Sequence, residues 1–355
     1  MSFRSGRVIL STPFYMIFQF FLLKYTCLLF GGINDVYAMV LAFLIGSLHL
    51  IPMFFEAKKS TVVGRFLTTV DGVWMWASMM LLIDIVVIYL LGRFAPLSFE
   101  IKALLLAIVP VLGVYNYHKA HNLVVNEKTI KLDNLARDIN IVHLSDVHFG
   151  SVRHKEIIAQ ISDKLKELED TCEIAIISGD LADGSCIVEE DDFLAFRDVN
   201  MPIVFTPGNH DYYKGIENVF KACKKAGIII LDNESLEFEC LNIFGLKYDF
   251  RDRIRPKMDK PLIKEGFVNI LIYHVPYYWQ DFSEMGFDIQ LSGHTHGGQF
   301  HPMVFFTGIL FKYNKGLFKN SLGKYLHVTT GVGSMDTPMR WGTDSELVIL
   351  KLKNK

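Results

Sequence analysis

The chain has 355 residues, of which 51% are hydrophobic and 28 are phenylalanine, and its formal net charge is -2. That length holds one sizeable catalytic domain and a smaller region beside it, and the apolar excess is more than a soluble core absorbs, so part of it is expected to meet lipid. The near-neutral charge excludes a nucleic-acid partner, because binding DNA or RNA takes a basic stripe that displaces counterions.

Four apolar stretches precede residue 120, at about residues 8–30, 36–55, 66–91 and 101–117. Each approaches the roughly 20 residues that cross a bilayer core. A pattern repeated four times fits retained spans rather than a cleaved leader, and the stretches lack the polar face of a soluble helix. Arg4 and Arg7 precede the first span, Lys58, Lys59 and Arg65 follow the second, and Lys119 follows the fourth. Cations gather on the cytoplasmic side, so both termini and the second domain are expected there, with Arg93 and Lys102 the exceptions in the opposite loops. Asp71 and Asp84 lie in or beside the third span, where a carboxylate is costly. Asp71 is near enough to the boundary to reach headgroups, and Asp84 is expected to bond to another helix or to sit at a turn near the interface. Trp74, Trp76 and Tyr89 suit an interfacial belt.

A change in texture near residue 120 divides the chain into a transmembrane four-helix region, 1–120, and a second domain, 121–355, that begins with an alternating, strand-like stretch at 123–132. Five short apolar runs come next, at 139–144, 174–177, 203–205, 268–273 and 289–291, with helical patterns at 155–169 and 216–226 between them. Runs without alternation read as strands buried on both faces, hence a layered α/β domain with its sheet covered by helices. Each run ends in metal-binding residue types: Asp146 and His148; Asp180; Asn209, His210 and Asp211; His274; His294 and His296. Carboxylates, one amide oxygen and several imidazoles suit Mn, Fe, Co or Zn better than Mg or Ca. Gly179, Gly208 and Gly293 beside these turns let the backbone come close. The cysteines, Cys27, Cys172, Cys186, Cys223 and Cys240, form no clip and read as reduced, buried thiols. His49, His118, His121, His143, His154, His301 and His327 read as structural, with His143 pointing away from Asp146 if its strand alternates.

The ordered blocks D-x-H, G-D, G-N-H-D, a lone H and G-H-x-H, from Asp146 to His296, resemble the signature of the calcineurin-like metallophosphoesterases. The resemblance implies a sandwich of two sheets flanked by helices, here preceded by the all-α transmembrane bundle. It implies one metal ion held by Asp146, His148, Asp180 and His296, and a second held by Asp180, Asn209, His274 and His294, with Asp180 bridging. Two such cations, manganese by preference with Fe, Zn or Co as alternatives, would stabilise both the entering and leaving oxygens of an in-line attack by water. His210 is then left to hold phosphoryl oxygens or protonate the leaving group, oriented by Asp211. Asn209, His210 and Arg340 are the candidate substrate contacts.

The spans, the run from Gly293 to Gln299, and Gly331-Val332-Gly333 followed by Pro338 and Arg340 resemble a membrane-associated branch of that family, although Ser345-Glu346 stands where the branch carries Pro-Glu. The resemblance points to the UDP-2,3-diacylglucosamine pyrophosphatases of lipid A synthesis, which release UMP and a lipid-linked sugar 1-phosphate, and so to a bacterial inner membrane. Residues 303–319, aromatic and aliphatic with scattered lysines, read either as a lid dipping into the membrane or as core packing. A broad-specificity membrane phosphodiesterase or phospholipid-cleaving enzyme is the alternative, and a receptor or scaffold with an inactive phosphoesterase module is the reading from another class.

Overall fold

The computed structural model describes residues 3–55, 59–133, 135–251, 254–258 and 263–355, so Lys58, one of the orienting cations, lies outside the described residues. Four helices come first: α1 (Phe3–Leu28), α2 (Asp35–Phe55), α3 (Val62–Gly92) and α4 (Phe99–His121). All four are long and apolar enough to cross a membrane. Leu10, Phe14, Phe43 and Val111 are among the large apolar side chains left exposed on them, a surface suited to lipid as solvent. Thr61 caps α3 by accepting from the Gly64 N–H at 2.9 Å.

Inside the bundle, polar groups pair across helices. Gln19 donates to Ser78 Oγ at 2.9 Å and accepts from Trp74 Nε1 at 3.2 Å. Asp71 is buried and meets His49 Nδ1 at 2.9 Å, so it turns into the bundle instead of reaching headgroups, because a partner inside satisfies its carboxylate. The Asp84 Oδ2 atom has no hydrogen-bond partner among the described residues.

The rest of the chain runs β1 (Leu123–Leu132), β2 (Ile139–Leu144), α5 (Lys155–Leu168), β3 (Ile174–Ile177), β4 (Ile203–Phe205), α6 (Ile216–Lys225), β5 (Ile229–Ile230), β6 (Glu234–Phe238) and β7 (Leu241–Gly245). It continues with β8 (Val268–Ile272), α7 (Trp279–Glu284), β9 (Ile289–Ser292), α8 (Met303–Leu310), β10 (Gly316–Lys319), β11 (Tyr325–Val328) and β12 (Ser345–Asn354). Two six-stranded sheets form, ordered β1-β12-β2-β3-β4-β5 and β10-β11-β9-β8-β7-β6. β2, β3, β4 and β5 are mutually parallel, as are β7, β8, β9 and β11, with β6 and β10 antiparallel on the edges of the second sheet.

Period-two alternation distributes each strand between two cores. Ile139, Ile141, Ile174, Ile176 and Val204 meet Ile243, Ile270, Ile272, Ile289 and Leu291 between the sheets. Val142, Leu144, Ala175, Ile177 and Phe205 face α5 and α6 through Ile157, Ile161, Leu165 and Val219. Leu271 and Tyr273 pack outward with Phe282 of α7. The expected two-sheet sandwich with helices outside is therefore present, and strands buried on both faces explain the unbroken apolar runs. The segment 303–319 divides. α8 carries exposed Phe305, Phe306, Ile309 and Leu310, whereas β10 is an edge strand on β11 whose Leu317 and Phe318 pack inward.

The bundle meets the sandwich along α3 and α4. Met339 packs with Trp76, Met80 and Val109, and a Cβ at Gly72 would strike the Asp336 carbonyl and Pro338. Lys119 pairs with Asp344 at 3.1 Å, and Lys59, before α3, with Glu189 at 2.8 Å. The α2–α3 loop and the end of α4 thus share a side with the sandwich.

Ile176 is fully buried between the sheets. Replacing it with Ala removes three buried carbons from the core the two sheets share, and a loss of about 2–5 kcal/mol is expected, read as a lowered Tm of the detergent-solubilised protein. An unchanged Tm would show that this layer does not carry the domain's stability.

Candidate metal centre

Parallel strands deliver their C-terminal ends to one edge of a sheet, where rigid backbone fixes the position of the loop residues beyond them. Beyond β2 stand Asp146 and His148, beyond β3 Asp180, beyond β4 Asn209 and His210, beyond β8 His274, and beyond β9 His294 and His296. The structure brings all of them together. Ligand-type atoms of Asp146, His148 and His296 lie within 4.8 Å of one another, as do those of Asp180, His274 and His294, and those of His148, Asp180 and His210.

The contacts are close. His148 Nε2 and His296 Nε2 face each other at 3.0 Å, with Asp146 Oδ1 at 3.8 and 3.4 Å from them. His274 Nε2 lies 3.0 Å from Asp180 Oδ2 and 3.9 Å from Asp146 Oδ1. His294 Nδ1 sits 3.1 Å from Asn209 Oδ1 and 3.3 Å from His274 Nε2. Asn209 donates its amide N–H to the Tyr213 hydroxyl at 3.1 Å, which turns its oxygen toward His294.

Protons decide what this cluster can hold. His274 Nδ1 is 2.8 Å from the Ser178 carbonyl; a carbonyl only accepts, so a proton sits on Nδ1 and Nε2 faces two carboxylates. Between them Nε2 calls for positive charge, supplied by a second proton or by a metal ion. Burial lowers His274, but Asp180 and Asp146 overcome it and raise the ring to about 9, which marks where positive charge is called for. Burial lowers His294 to about 4 and His296 to about 3, and takes His148 well below its usual range, so these rings are neutral and their lone pairs free for a metal. Burial also pushes Asp180 up, yet His274 above all, with His210, holds it well below the carboxylate range. The donor set therefore fits divalent cations.

The local backbone is unusual. Asp146 (φ 51°), His148 (φ 50°), Asp180 (φ 53°), His294 (φ 71°) and His296 (φ 50°) all adopt left-handed conformations that non-glycine residues rarely take. Gly179 and Gly293 permit the crowding: a Cβ on Gly179 would strike the His274 ring, and one on Gly293 the Ser145 hydroxyl and the Asp146 carboxylate.

Two expected roles change. Asp211 does not orient His210; it is buried, and its carboxylate accepts from the backbone N–H groups of Asp180 (2.9 Å), Ala182 (2.8 Å) and Gly208 (2.8 Å). Burial and the nearby Asp180 push it up to about 8, against those donors, which favour its charged form. His210 is instead oriented by Asp183, whose carbonyl accepts from Nδ1 at 2.9 Å, while the His210 N–H donates to Asp180 Oδ1 at 2.8 Å. Arg340 is fully buried and contacts no substrate space: its terminal nitrogens donate to the carbonyls of Thr330, Gly331, Gly333 and Asp344 and to Thr343 Oγ1. Ser178 and Asp183 act through their carbonyls, which residue type does not advertise.

Because three N–H groups converge on Asp211, Asp211→Asn would set an amide NH2 against donors and is expected to cost about 1–3 kcal/mol. The variant should show a lower Tm together with reduced bound metal by elemental analysis; unchanged values of both would mean that Asp211 does not hold the ligand loops.

Residues 139–298 match the family model for the calcineurin-like phosphoesterases. An uncharacterized metallophosphoesterase of Helicobacter pylori is 31% identical over 240 residues, 65% of this chain and 64% of that protein, so this chain spans just under two thirds of that relative. A Bacillus subtilis protein, YpbG, is 35% identical over 216 residues, 58% of this chain and 80% of its own. A transmembrane protein with metallophosphoesterase domain from Danio rerio is 28% identical over 280 residues, 72% of this chain and 63% of that one. With the strand tips inside the matched segment converging on three overlapping groups of metal-binding side chains, the chain belongs to the calcineurin-like phosphoesterases.

Proposed function

We propose that this chain is a membrane-bound phosphohydrolase that uses two divalent cations, manganese first among them, to cleave the pyrophosphate of a lipid-linked nucleotide. The single observation that carries the reading is the convergence of imidazoles and carboxylates beside helices able to cross a membrane. Asp146, His148, Asp180 and His296 would hold one cation, and Asp180, Asn209, His274 and His294 the other. Bound there, the pair would supply positive charge to the entering and departing oxygens and make a water acidic enough to attack at neutral pH.

The chain's own residues supply the rest. The Asp183 carbonyl fixes one His210 proton on Nδ1, and in the imidazolium the second proton, on Nε2, is the one available to a phosphoryl oxygen or to the leaving group. In the reaction proposed, the oxygen of water bonds to the uridylate phosphorus and the bond from that phosphorus to the bridging oxygen breaks. UDP-2,3-diacylglucosamine thereby yields UMP and diacylglucosamine 1-phosphate, which keeps the bridging oxygen. An acylated substrate is supported by α8, which begins seven residues after His296 and exposes Phe305 (64%), Ile309 (67%) and Leu310 (74%) to whatever lies outside the site. The shared side of the α2–α3 loop, the α4 end and the sandwich supports a cytoplasmic catalytic domain with both termini on that side, in a bacterial inner membrane.

Purified full-length protein, stripped of metal and reloaded with Mn, is expected to release UMP from UDP-2,3-diacylglucosamine only when loaded. Activity confined to bis-p-nitrophenyl phosphate would select a broad phosphodiesterase, and no turnover of either would select an inactive module. His210→Ala should keep its metal while turnover falls about 100-fold or more. Loss of both together would make His210 a ligand, a role its closeness to His148 and Asp180 permits. Replacing Phe305, Ile309 and Leu310 together by Ser should lower the ratio of kcat/KM on the acylated substrate to that on the soluble diester about tenfold; an unchanged ratio would remove α8 from substrate capture.

A further inference from the structure

An apolar hollow of about 510 Å³ opens between α3 and α4, within the roughly 300–1,000 Å³ range of small-molecule sites. Val73, Trp74, Ala77 and Leu81 form one wall, Val109, Gly113, Val114 and Tyr117 the other, and Met339 of the sandwich lines it as well. We propose that this hollow binds one acyl chain of the lipid-linked substrate, an inference that rests on the function proposed above.

Three observations favour that occupant. Both walls belong to helices able to cross a membrane, so the medium around the opening is hydrocarbon. The hollow has a direction: Val73, Trp74, Tyr117 and His118 lie toward the sandwich, since α3 follows the loop of Lys59 and α4 runs into β1, whereas Leu81 and Val109 lie about 12 Å deeper at 1.5 Å per residue. A chain there points its head toward the phosphoesterase domain. Met339 also joins the hollow to the site: the next residue, Arg340, donates to Gly331 and Gly333, and Trp341 donates its N–H to the carbonyl of Gln299, three residues after His296. An ordinary lipid-facing groove needs no wall from the catalytic domain.

The test uses full-length protein in phosphatidylcholine nanodiscs and UDP-2,3-diacylglucosamine bearing a diazirine midway along one acyl chain. Photolysis should label residues 73–81 and 109–118, and unlabelled substrate should suppress the labelling where added phosphatidylcholine does not. Ala77→Trp, or Val114→Trp on the opposite wall, should lower the ratio of kcat/KM on the acylated substrate to that on bis-p-nitrophenyl phosphate about tenfold by displacing two or three buried methylenes. Val86→Trp, on the exposed face of α3 outside the hollow, should leave the ratio unchanged. Labelling elsewhere together with an unchanged ratio in both hollow variants would overturn the acyl site while leaving the substrate assignment intact. Equal suppression by phosphatidylcholine would make the hollow a bulk-lipid groove and overturn the proposal. Absence of UMP release by the wild type would overturn the substrate assignment instead, and the hollow would then stand or fall on the labelling alone.

Discussion

Acceptor atoms outnumber protons in the buried space where the strand ends meet, and the rest of the structure is arranged around that imbalance. The Asp146 and Asp180 carboxylates and the Nε2 atoms of His148, His274 and His296 face one another at 3.0 to 4.0 Å with almost no solvent around them. Uncompensated buried charge of this kind is costly. Five of the seven candidate ligands add left-handed backbone, at about 1–3 kcal/mol each for residues other than glycine. Such a centre persists only if the scaffold over-determines it, and cations entering it return much of what it costs, so metal binding and stability are linked.

The scaffold does this in layers. Parallel strands, dry on both faces, fix where each loop starts. Asp211 then ties the Asp180 and Gly208 turns together through their N–H groups, which sets the loops after β3 and β4 against each other. Behind the loop after β2, Val332 and Gly333 donate their N–H groups to the carbonyls of Ser145 and Asp146, and Arg340 holds that segment by its carbonyls. Burial lowers Arg340 to about 10, still protonated at neutral pH. Its charge beside Asp146 and His296 helps to keep His296 neutral, so a residue with no access to substrate still tunes a candidate ligand.

Much of this was legible in the sequence and some could not be. The apolar runs marked the strands because burial on both faces leaves no polar positions to blur them, and the residue types at their ends named the candidate ligands. Asp211 misled because its place beside His210 suggested a side-chain pair, whereas a 3₁₀ turn at His210–Tyr212 sends the two side chains in different directions. Asp183 and Ser178 escaped notice because they act through carbonyls every residue possesses. Residues 303–319 looked uniform in composition, yet only tertiary pairing with β11 separates an inward-packing edge strand from an exposed helix. Ser345 and Glu346 show the converse: Ser345 donates to the Val332 carbonyl at 2.5 Å and Glu346 accepts from Thr329 and Thr330, so the turn keeps its hydrogen bonds without a proline.

The bundle is mechanically part of the site. The segment that closes behind Asp146 continues through Thr337, Pro338 and Met339 directly onto α3 and α4, where Gly72 leaves no room for a side chain and Met339 packs on Trp76 and Val109. Asn116 of α4 accepts from the Arg340 N–H at 3.1 Å, and Arg153, buried beside the loop of Asp146 and His148, donates toward the Ala120 carbonyl at the helix end. Displacing α3 or α4 would therefore disturb the carbonyls that hold Arg340, and through them the loop of Asp146. A pair of helices that merely anchored the domain would need only a flexible link; here the joint is buried, hydrogen-bonded and continuous with the candidate ligands, so the position of the membrane helices and the geometry of the metal centre are fixed together.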